Sequence, residues 1–290
     1  MSNSMSENLV SISHSEGQRV RPVKKNRVLS ASAIFWFATI LVGQWIFFYY
    51  IFAFYGYSVI NGNLAAWNVF EKFGSTPYVA GDFGGNIAFA AHALGGGIIA
   101  FGGALQLIPK VRTRFPRFHR INGYVYLTTV FLLAMSGFYL VLIRGSSPDT
   151  LSAIGTCING GLILWFAYKT VITARNRDIK SHRKWALRLF LVSSAQWLLR
   201  LGTFSYLISG QLLGLEPSFG DPFFKLWTFG CFLVPLVALQ FYFYASESGN
   251  PLVQYTAAGV VTFLTVEMLI GIIGFTPLMQ MIINGEPISF

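Results

Sequence analysis

The sequence predicts an all-α integral membrane protein, a bundle of about seven transmembrane helices with a cytoplasmic N-terminus and a C-terminus outside. Three observations indicate this class. Of the 290 residues, 54% are hydrophobic and only 11% are charged, whereas a soluble domain carries about 25% charged residues. Seven apolar runs are each long enough to cross about 30 Å of hydrocarbon. Finally, the basic residues are concentrated in alternate connections between these runs.

The predicted elements begin with a disordered basic cytoplasmic tail at 1–30, and a single transmembrane bundle at 31–290 follows it. The first span, 31–52, is longer than a signal-peptide core and ends in bulky aromatic residues rather than at a cleavage site. Six further spans are predicted at 84–108, 120–143, 151–174, 184–209, 224–245 and 253–275.

The orientation follows from the basic residues. Fifteen of the 21 Lys and Arg residues lie in the tail and in the loops at 109–120 and 175–184. The positive-inside rule therefore predicts that these three segments lie on the cytoplasmic side of a cell membrane. Most of the formal charge of +10 then reflects topology and contact with membrane lipids, so nucleic acid is not expected as a partner. The orientation also argues against a heptahelical receptor.

Two histidines open predicted helices at the cytoplasmic end, and their surroundings are alike. Each follows a basic loop, precedes an arginine and stands four positions before a small residue, in the sets His119, Arg120, Gly123 and His182, Arg183, Ala186. Both helices enter from the cytoplasm, so the two imidazoles are expected at the same depth. Facing imidazoles above small residues suit a b-type haem, with the histidines on the iron and the arginines on the propionates. Two alternatives stay open: these residues cap helices and contact lipid phosphate, or the histidines bind a bare metal ion.

A second set of polar side chains is predicted in the outer half of the membrane: His92, Arg200, Glu267, Gln196 and Asn159. Counting about 1.5 Å per residue from the cytoplasmic interface brings His92, Arg200 and Glu267 to similar depths. An intramembrane arginine is costly and usually paired, so Glu267 is its expected partner. We interpret this cluster either as a quinone, lipid or proton site or as a structural ion pair.

Two spaced motifs mark the segment at about 85–205. They are His-Arg-x-x-Gly-x-x-Tyr at 119–126 and His-Arg-x-Trp-x-x-Arg at 182–188, with His92 and Arg200 around them. This pattern resembles a bacterial family of predicted multi-pass membrane proteins of unknown function, and the resemblance implies a bacterial inner membrane. More remotely, the helix-borne histidines are similar to those of the b-type dihaem membrane cytochromes, including the ascorbate-dependent ferric reductases. That resemblance implies paired axial histidines; His119 and His182 match the inner pair, but His92 is the single outer histidine, so it implies one haem at most.

The residues and the resemblance together favour a membrane redox protein that binds one b-type haem and exchanges electrons with a quinone or a small reductant. Two functions of other classes remain open. In a non-redox transporter, the outer polar cluster would be the ligand site. In an assembly or lipid-binding membrane protein, the inner basic residues would recognise anionic head groups.

Overall fold

The computed structural model describes residues 26–71 and 76–287, and these residues form helices; a longer segment, which includes a 3₁₀ helix at Leu64–Asn68, separates the first helix from the second. The predicted disordered tail lies outside the described residues up to residue 25, and the first helix begins at Arg27. In chain order the helices are α1 (Arg27–Ile60), α2 (Phe83–Leu107), α3 (Pro109–Arg114), α4 (Pro116–Ile143), α5 (Thr150–Arg175), α6 (Ile179–Ser193), α7 (Ala195–Leu212), α8 (Pro222–Glu247) and α9 (Pro251–Asn284).

Six of these helices are long and apolar enough to cross a membrane, namely α1, α2, α4, α5, α8 and α9. The all-α class of a multi-pass membrane protein is therefore confirmed for the described residues. The predicted span at 184–209 differs, because α6 with 15 residues and α7 with 18 residues divide it. The count of seven spans and the positions of the two termini stay predictions.

The division between α6 and α7 occurs at Ser194, without a proline. The hydroxyl of Ser193 donates to the Phe190 carbonyl at 3.1 Å, a back-bond that bends helices. Two other helices supply amide donors at this point: Gln44 of α1 bonds the Ser194 hydroxyl at 2.9 Å, and Asn159 of α5 bonds the Val192 carbonyl at 3.1 Å. The interruption thus lies in a polar layer within an otherwise apolar bundle, where each polar group that it exposes needs a partner.

Aspartate side chains cap the first turns of three helices. Asp82 accepts a hydrogen bond from the Gly85 amide at 2.9 Å at the start of α2. Asp149 and Asp178 make equivalent bonds of 2.9 and 3.0 Å at the starts of α5 and α6. Such caps satisfy amides that have no partner within the helix. They explain why these helices begin where the apolar runs begin.

The helices form a closed series of contacts. Helix α1 packs between α2 and α9, α2 packs on α4, α4 on α5, and α5 on α6, while α7 packs on α9 and closes the series. Helix α8 lies against α5, α6, α7 and α9. Trp67, Trp197 and Phe232 are fully buried in the shared core. Glycines allow close approach at several crossings, including one where Gly271 of α9 meets the backbone of Leu201 in α7.

A buried arginine ties the start of α2 to the end of α4. Arg144 has a side chain that is only 9% exposed, and its Nε donates to Asp82 at 2.8 Å. Its two Nη atoms donate to the Pro77 carbonyl and to the Asn86 side-chain oxygen, both at 2.9 Å. Asn86 in turn pairs with both backbone polar groups of Val79. This network lies at the end of the bundle opposite the basic loops and fixes the loop that precedes α2.

Candidate functional site

His119 and His182 occupy the same register in two helices that start at one end of the bundle. We call this end, which carries the loops at 109–120 and 175–184, the basic end. The His119 amide bonds the carbonyl of Phe115, the residue before α4, at 3.0 Å; the His182 amide bonds that of Asp178, the residue before α6, at 2.9 Å. The two imidazoles lie within electrostatic range of each other, and Arg112 is also within range of His119. The sequence-based expectation of neighbouring inner histidines is therefore compatible with the geometry.

The two imidazole rings differ in their hydrogen bonds. Nδ1 of His182 lies 3.0 Å from the backbone carbonyl of Thr170 in α5. Because a carbonyl only accepts, Nδ1 carries a proton, and in the neutral imidazole Nε2 then holds the free lone pair. Nδ1 of His119 is buried and finds no hydrogen-bond partner among the residues described. Each ring therefore has one nitrogen whose lone pair or proton is available to a ligand.

The space expected beside Gly123 for the flat ring of a haem is partly filled by another side chain. A methyl group added at Gly123 would meet the side chain of Gln106 at 3.7 Å, so Gln106 of α2 occupies the space beside this glycine. Gln106 also donates to the His119 carbonyl at 2.8 Å. Arg120 and Arg183 are exposed and form no ion pair within the described part of the chain, and Ala186 is partly buried one turn after His182.

The expected pairing of Arg200 with Glu267 is not formed. Nη1 of Arg200 donates to the Gln196 carbonyl at 2.7 Å, and its guanidinium lies 5.7 Å from the ring of Phe47. Glu267 instead accepts hydrogen bonds from Ser205 and, at 3.4 Å, from Ser209. Ser205 is five residues beyond Arg200, which at about 100° per residue places the two on different sides of α7 by about 140°. Equal depth was predicted from the sequence, but rotation about the helix axis separates the two charges.

Of the remaining members of the predicted outer cluster, His92 lies near Arg200, whereas the side chains of Gln196 and Asn159 do not join it. His92 stays within electrostatic range of Arg200, and its Nδ1 lies 2.9 Å from the hydroxyl of Ser136 in α4. Tyr50 and Tyr55 of α1, which the sequence reasoning did not include, are also within electrostatic range of Arg200. The Gln196 side chain is exposed, and Asn159 belongs to the polar layer at the α6–α7 division.

Hydrogen bonds from three polar residues to neighbouring helices were not predicted from the sequence. Gln44, Gln106 and Tyr126 each bond a group on another helix; Tyr126 ends the first motif and shares a hydrogen bond with Ser193. These bonds are only weakly indicated by the sequence, since each residue is an uncharged polar residue within a long apolar run. Such residues acquire a role only when a partner faces them.

Within the described residues, no group of three or more His, Cys, Asp or Glu side chains is arranged to hold a metal ion. A haem iron needs fewer protein ligands, because the porphyrin supplies the rest and one or two axial side chains complete the shell. The two inner histidines therefore remain a candidate pair for haem, whereas the structure offers no such group for a bare metal ion among the residues it covers.

Comparison with known proteins gives one result. Residues 89–243, more than half of the 290-residue chain, match a family described as a predicted membrane protein, DUF2306. No curated protein and no solved structure matches the chain. The match includes His92, both histidine motifs and Arg200, whereas α1, α9 and therefore Glu267 lie outside it. The resemblance to a family of membrane proteins of unknown function is thus confirmed, and the similarity to cytochromes stays an expectation. The chain belongs to the DUF2306 family of predicted membrane proteins.

Proposed function

We propose that the protein is a membrane redox protein that binds one b-type haem at the basic end of the bundle, with His119 and His182 as axial ligands. The observation that carries the proposal is the matched placement of the two imidazoles. They lie at the same register of α4 and α6, within electrostatic range of each other. The sequence motifs that contain them lie within the segment that matches the family.

The hydrogen bond from His182 to Thr170 supports a ligand role. Metal-binding histidines usually donate their second ring N–H to a carbonyl or carboxylate, which sets the tautomer and the ring orientation. The Thr170 carbonyl acts on Nδ1 in this way, at 3.0 Å. In the neutral imidazole, the lone pair of His182 Nε2 is then oriented before any ligand arrives.

The buried Nδ1 of His119 supports the same role. A buried polar atom without a partner costs about 1–3 kcal/mol, and no partner for this nitrogen exists among the described residues. A bound group that engages this imidazole, or a shift of the ring when the group binds, would remove that cost. The proposal rests on the two histidines and not on Gly123, because the side chain of Gln106 fills the space beside that glycine.

The exposed arginines at the basic end suit the acidic groups of the cofactor. Arg120 and Arg183 carry no ion pair within the residues described and stand directly after the two histidines. Guanidinium groups bind carboxylates with two parallel hydrogen bonds, so they would hold the haem propionates. When bound, a haem supplies reversible one-electron chemistry. The proposed electron partners are a quinone or a small reductant, in a bacterial inner membrane.

A visible absorption spectrum of the detergent-purified protein, dithionite-reduced minus air-oxidised, tests the proposal. We expect a Soret band with sharp reduced α and β peaks, lost in both His119→Ala and His182→Ala. The matched control is His92→Ala, the same substitution in α2 away from the basic end, which should keep the spectrum. Circular dichroism and gel filtration of each variant separate loss of haem from loss of fold. A colourless folded protein from haem-sufficient cells, or a spectrum that survives both inner substitutions, would refute the haem assignment.

One observation favours a function of another class. Arg200 has no acidic partner among the described residues, yet His92, Tyr50 and Tyr55 all lie within its electrostatic range. Charged side chains within spans commonly mark substrate or ion pathways. A non-redox transporter, or an assembly or lipid-binding protein, would use this site for a ligand with acceptor groups. That function predicts a colourless protein in which Arg200→Gln abolishes uptake or ligand retention, while His119→Ala and His182→Ala have no effect.

A further inference from the structure

A mostly apolar cavity lies between α1, α6, α7, α8 and α9, away from the two inner histidines. Its volume is about 260 Å³, and the side chains of Trp36, Leu201, Trp227 and Leu264 form part of its wall. Glu267 is the one charged residue among those that line it in the described part of the chain. A carboxyl group inside a membrane bundle is costly and is by default a candidate functional residue.

The cavity is long and narrow. On α8 its lining runs from Trp227 to Tyr242, a distance of about 22 Å at about 1.5 Å per residue. Its volume exceeds the roughly 150 Å³ of an apolar cavity that holds benzene, but it is smaller than the roughly 300 Å³ at which pockets for drug-sized ligands begin. A volume of this size spread over such a length fits a linear chain better than a compact ring system.

The polar side of the cavity has one unused acceptor. Ser205 and Ser209 both donate to the same carboxylate oxygen of Glu267, Oε2. The other oxygen, Oε1, makes no hydrogen bond within the described residues. An ionised Glu267 can accept a hydrogen bond at Oε1, and a neutral Glu267 can carry its proton on Oε1 and donate it. A hydroxyl group can satisfy Oε1 in both states, since it donates and accepts.

We propose that this cavity binds a single-chain amphiphile with a hydroxyl head group, that is, a long-chain alcohol. Its hydroxyl bonds Oε1 of Glu267, and its chain lies along the apolar wall towards Tyr242. A fatty acid is a poorer ligand of an ionised Glu267, because its carboxylate only accepts hydrogen bonds and would stand beside a like charge. The site is independent of the proposed haem, because neither His119 nor His182 lines the cavity.

Tryptophan fluorescence provides the test, because Trp36 and Trp227 both line the cavity and bromine quenches indole on contact. The full-length protein in lipid nanodiscs is titrated with dodecanol that carries bromine at its far end. We expect saturable quenching, with an apparent affinity at least about tenfold weaker in Glu267→Leu, because a hydrogen bond to a carboxylate is lost. The matched control is Glu216→Leu, the same substitution at an exposed position, which should leave the affinity unchanged.

Three comparisons make the outcome decisive. Bromododecane, which has no hydroxyl, and bromododecanoate should both quench more weakly than the alcohol at neutral pH. Ala238→Phe, which adds a ring to the cavity wall and leaves Glu267 in place, should abolish the saturable phase. Quenching by bromododecane equal to that by the alcohol would show that the cavity binds lipid chains without recognising a head group. Quenching that survives Ala238→Phe would show that the probe binds elsewhere. Either result overturns the proposal, even if Glu267→Leu fails to fold.

Discussion

Gly271 sets the distance between α7 and α9, and its replacement gives the most direct test of the packing. A Cβ atom at Gly271 would lie 2.3 Å from the carbonyl oxygen of Leu201 and 2.8 Å from its carbonyl carbon and Cα. These are backbone atoms, which cannot rotate away as a side chain can. The two helices would have to separate by roughly 1 Å to restore an ordinary contact of about 3.4 Å, so Gly271→Ala forces a movement of the bundle.

The loss of unfolding free energy expected for Gly271→Ala follows from a comparison with a second glycine in the same helix. Gly259 also lies within α9, and a Cβ atom there would meet nothing within 4 Å. Both alanine substitutions gain about 0.5–1 kcal/mol from the lower conformational entropy of the unfolded chain. That gain cancels when the two variants are compared. The difference between their unfolding free energies is then the cost of overpacking at Gly271, about 1–3 kcal/mol.

Equilibrium unfolding in mixed micelles of dodecyl maltoside and increasing SDS, followed by circular dichroism, measures both variants on one scale. We expect Gly259→Ala to equal or exceed the wild type in stability and Gly271→Ala to fall below it. If Gly271→Ala were as stable as Gly259→Ala, α7 and α9 would not approach as closely as the structure shows. The packing reasoning would then be refuted for this contact.

Two further predictions concern the network that joins the start of α2 to the end of α4. Arg144→Met removes three part-buried hydrogen bonds, one to Asp82 and two of 2.9 Å to Pro77 and Asn86. The loss of the last two alone should lower the unfolding free energy by about 3 kcal/mol, at about 1.5 kcal/mol each. Arg114→Met, at an exposed position, should be neutral in the same SDS titration, and equal losses would contradict the assignment. The Gly85 amide, together with the Arg144 guanidinium, holds the pKa of Asp82 below its ordinary value. Its stabilising contribution is therefore present above the unfolded-state pKa, about 4, and is lost as the pH falls through the lower folded-state pKa. Asp82→Asn should flatten the decline in Tm over that acidic range, and a Tm profile parallel to the wild type would argue against this contribution.

Much of the architecture was accessible from the sequence, because hydropathy along the chain reports which segments can lie in lipid. Six of the seven predicted spans correspond to helices long and apolar enough to cross a membrane. The basic loops before α4 and α6 also indicated where each apolar run begins, although the helices start at Pro116 and Ile179, a few residues before the predicted starts at 120 and 184. For the same reason His119 and His182 were expected at one end of the bundle, and the structure places them there in equal register.

The tertiary structure decided which side chains meet. A membrane helix is apolar on every side, so its sequence carries little information about rotation around its axis, and one residue changes the direction of a side chain by about 100°. Depth alone therefore suggested that Arg200 pairs with Glu267, whereas packing turned Glu267 towards Ser205 and an apolar cavity. The division at Ser194 has the same origin, because it depends on amide donors that arrive from two other helices. The sequence by itself determined the membrane class and the position of each polar residue along its apolar run, and only the packing of the helices determined its partner.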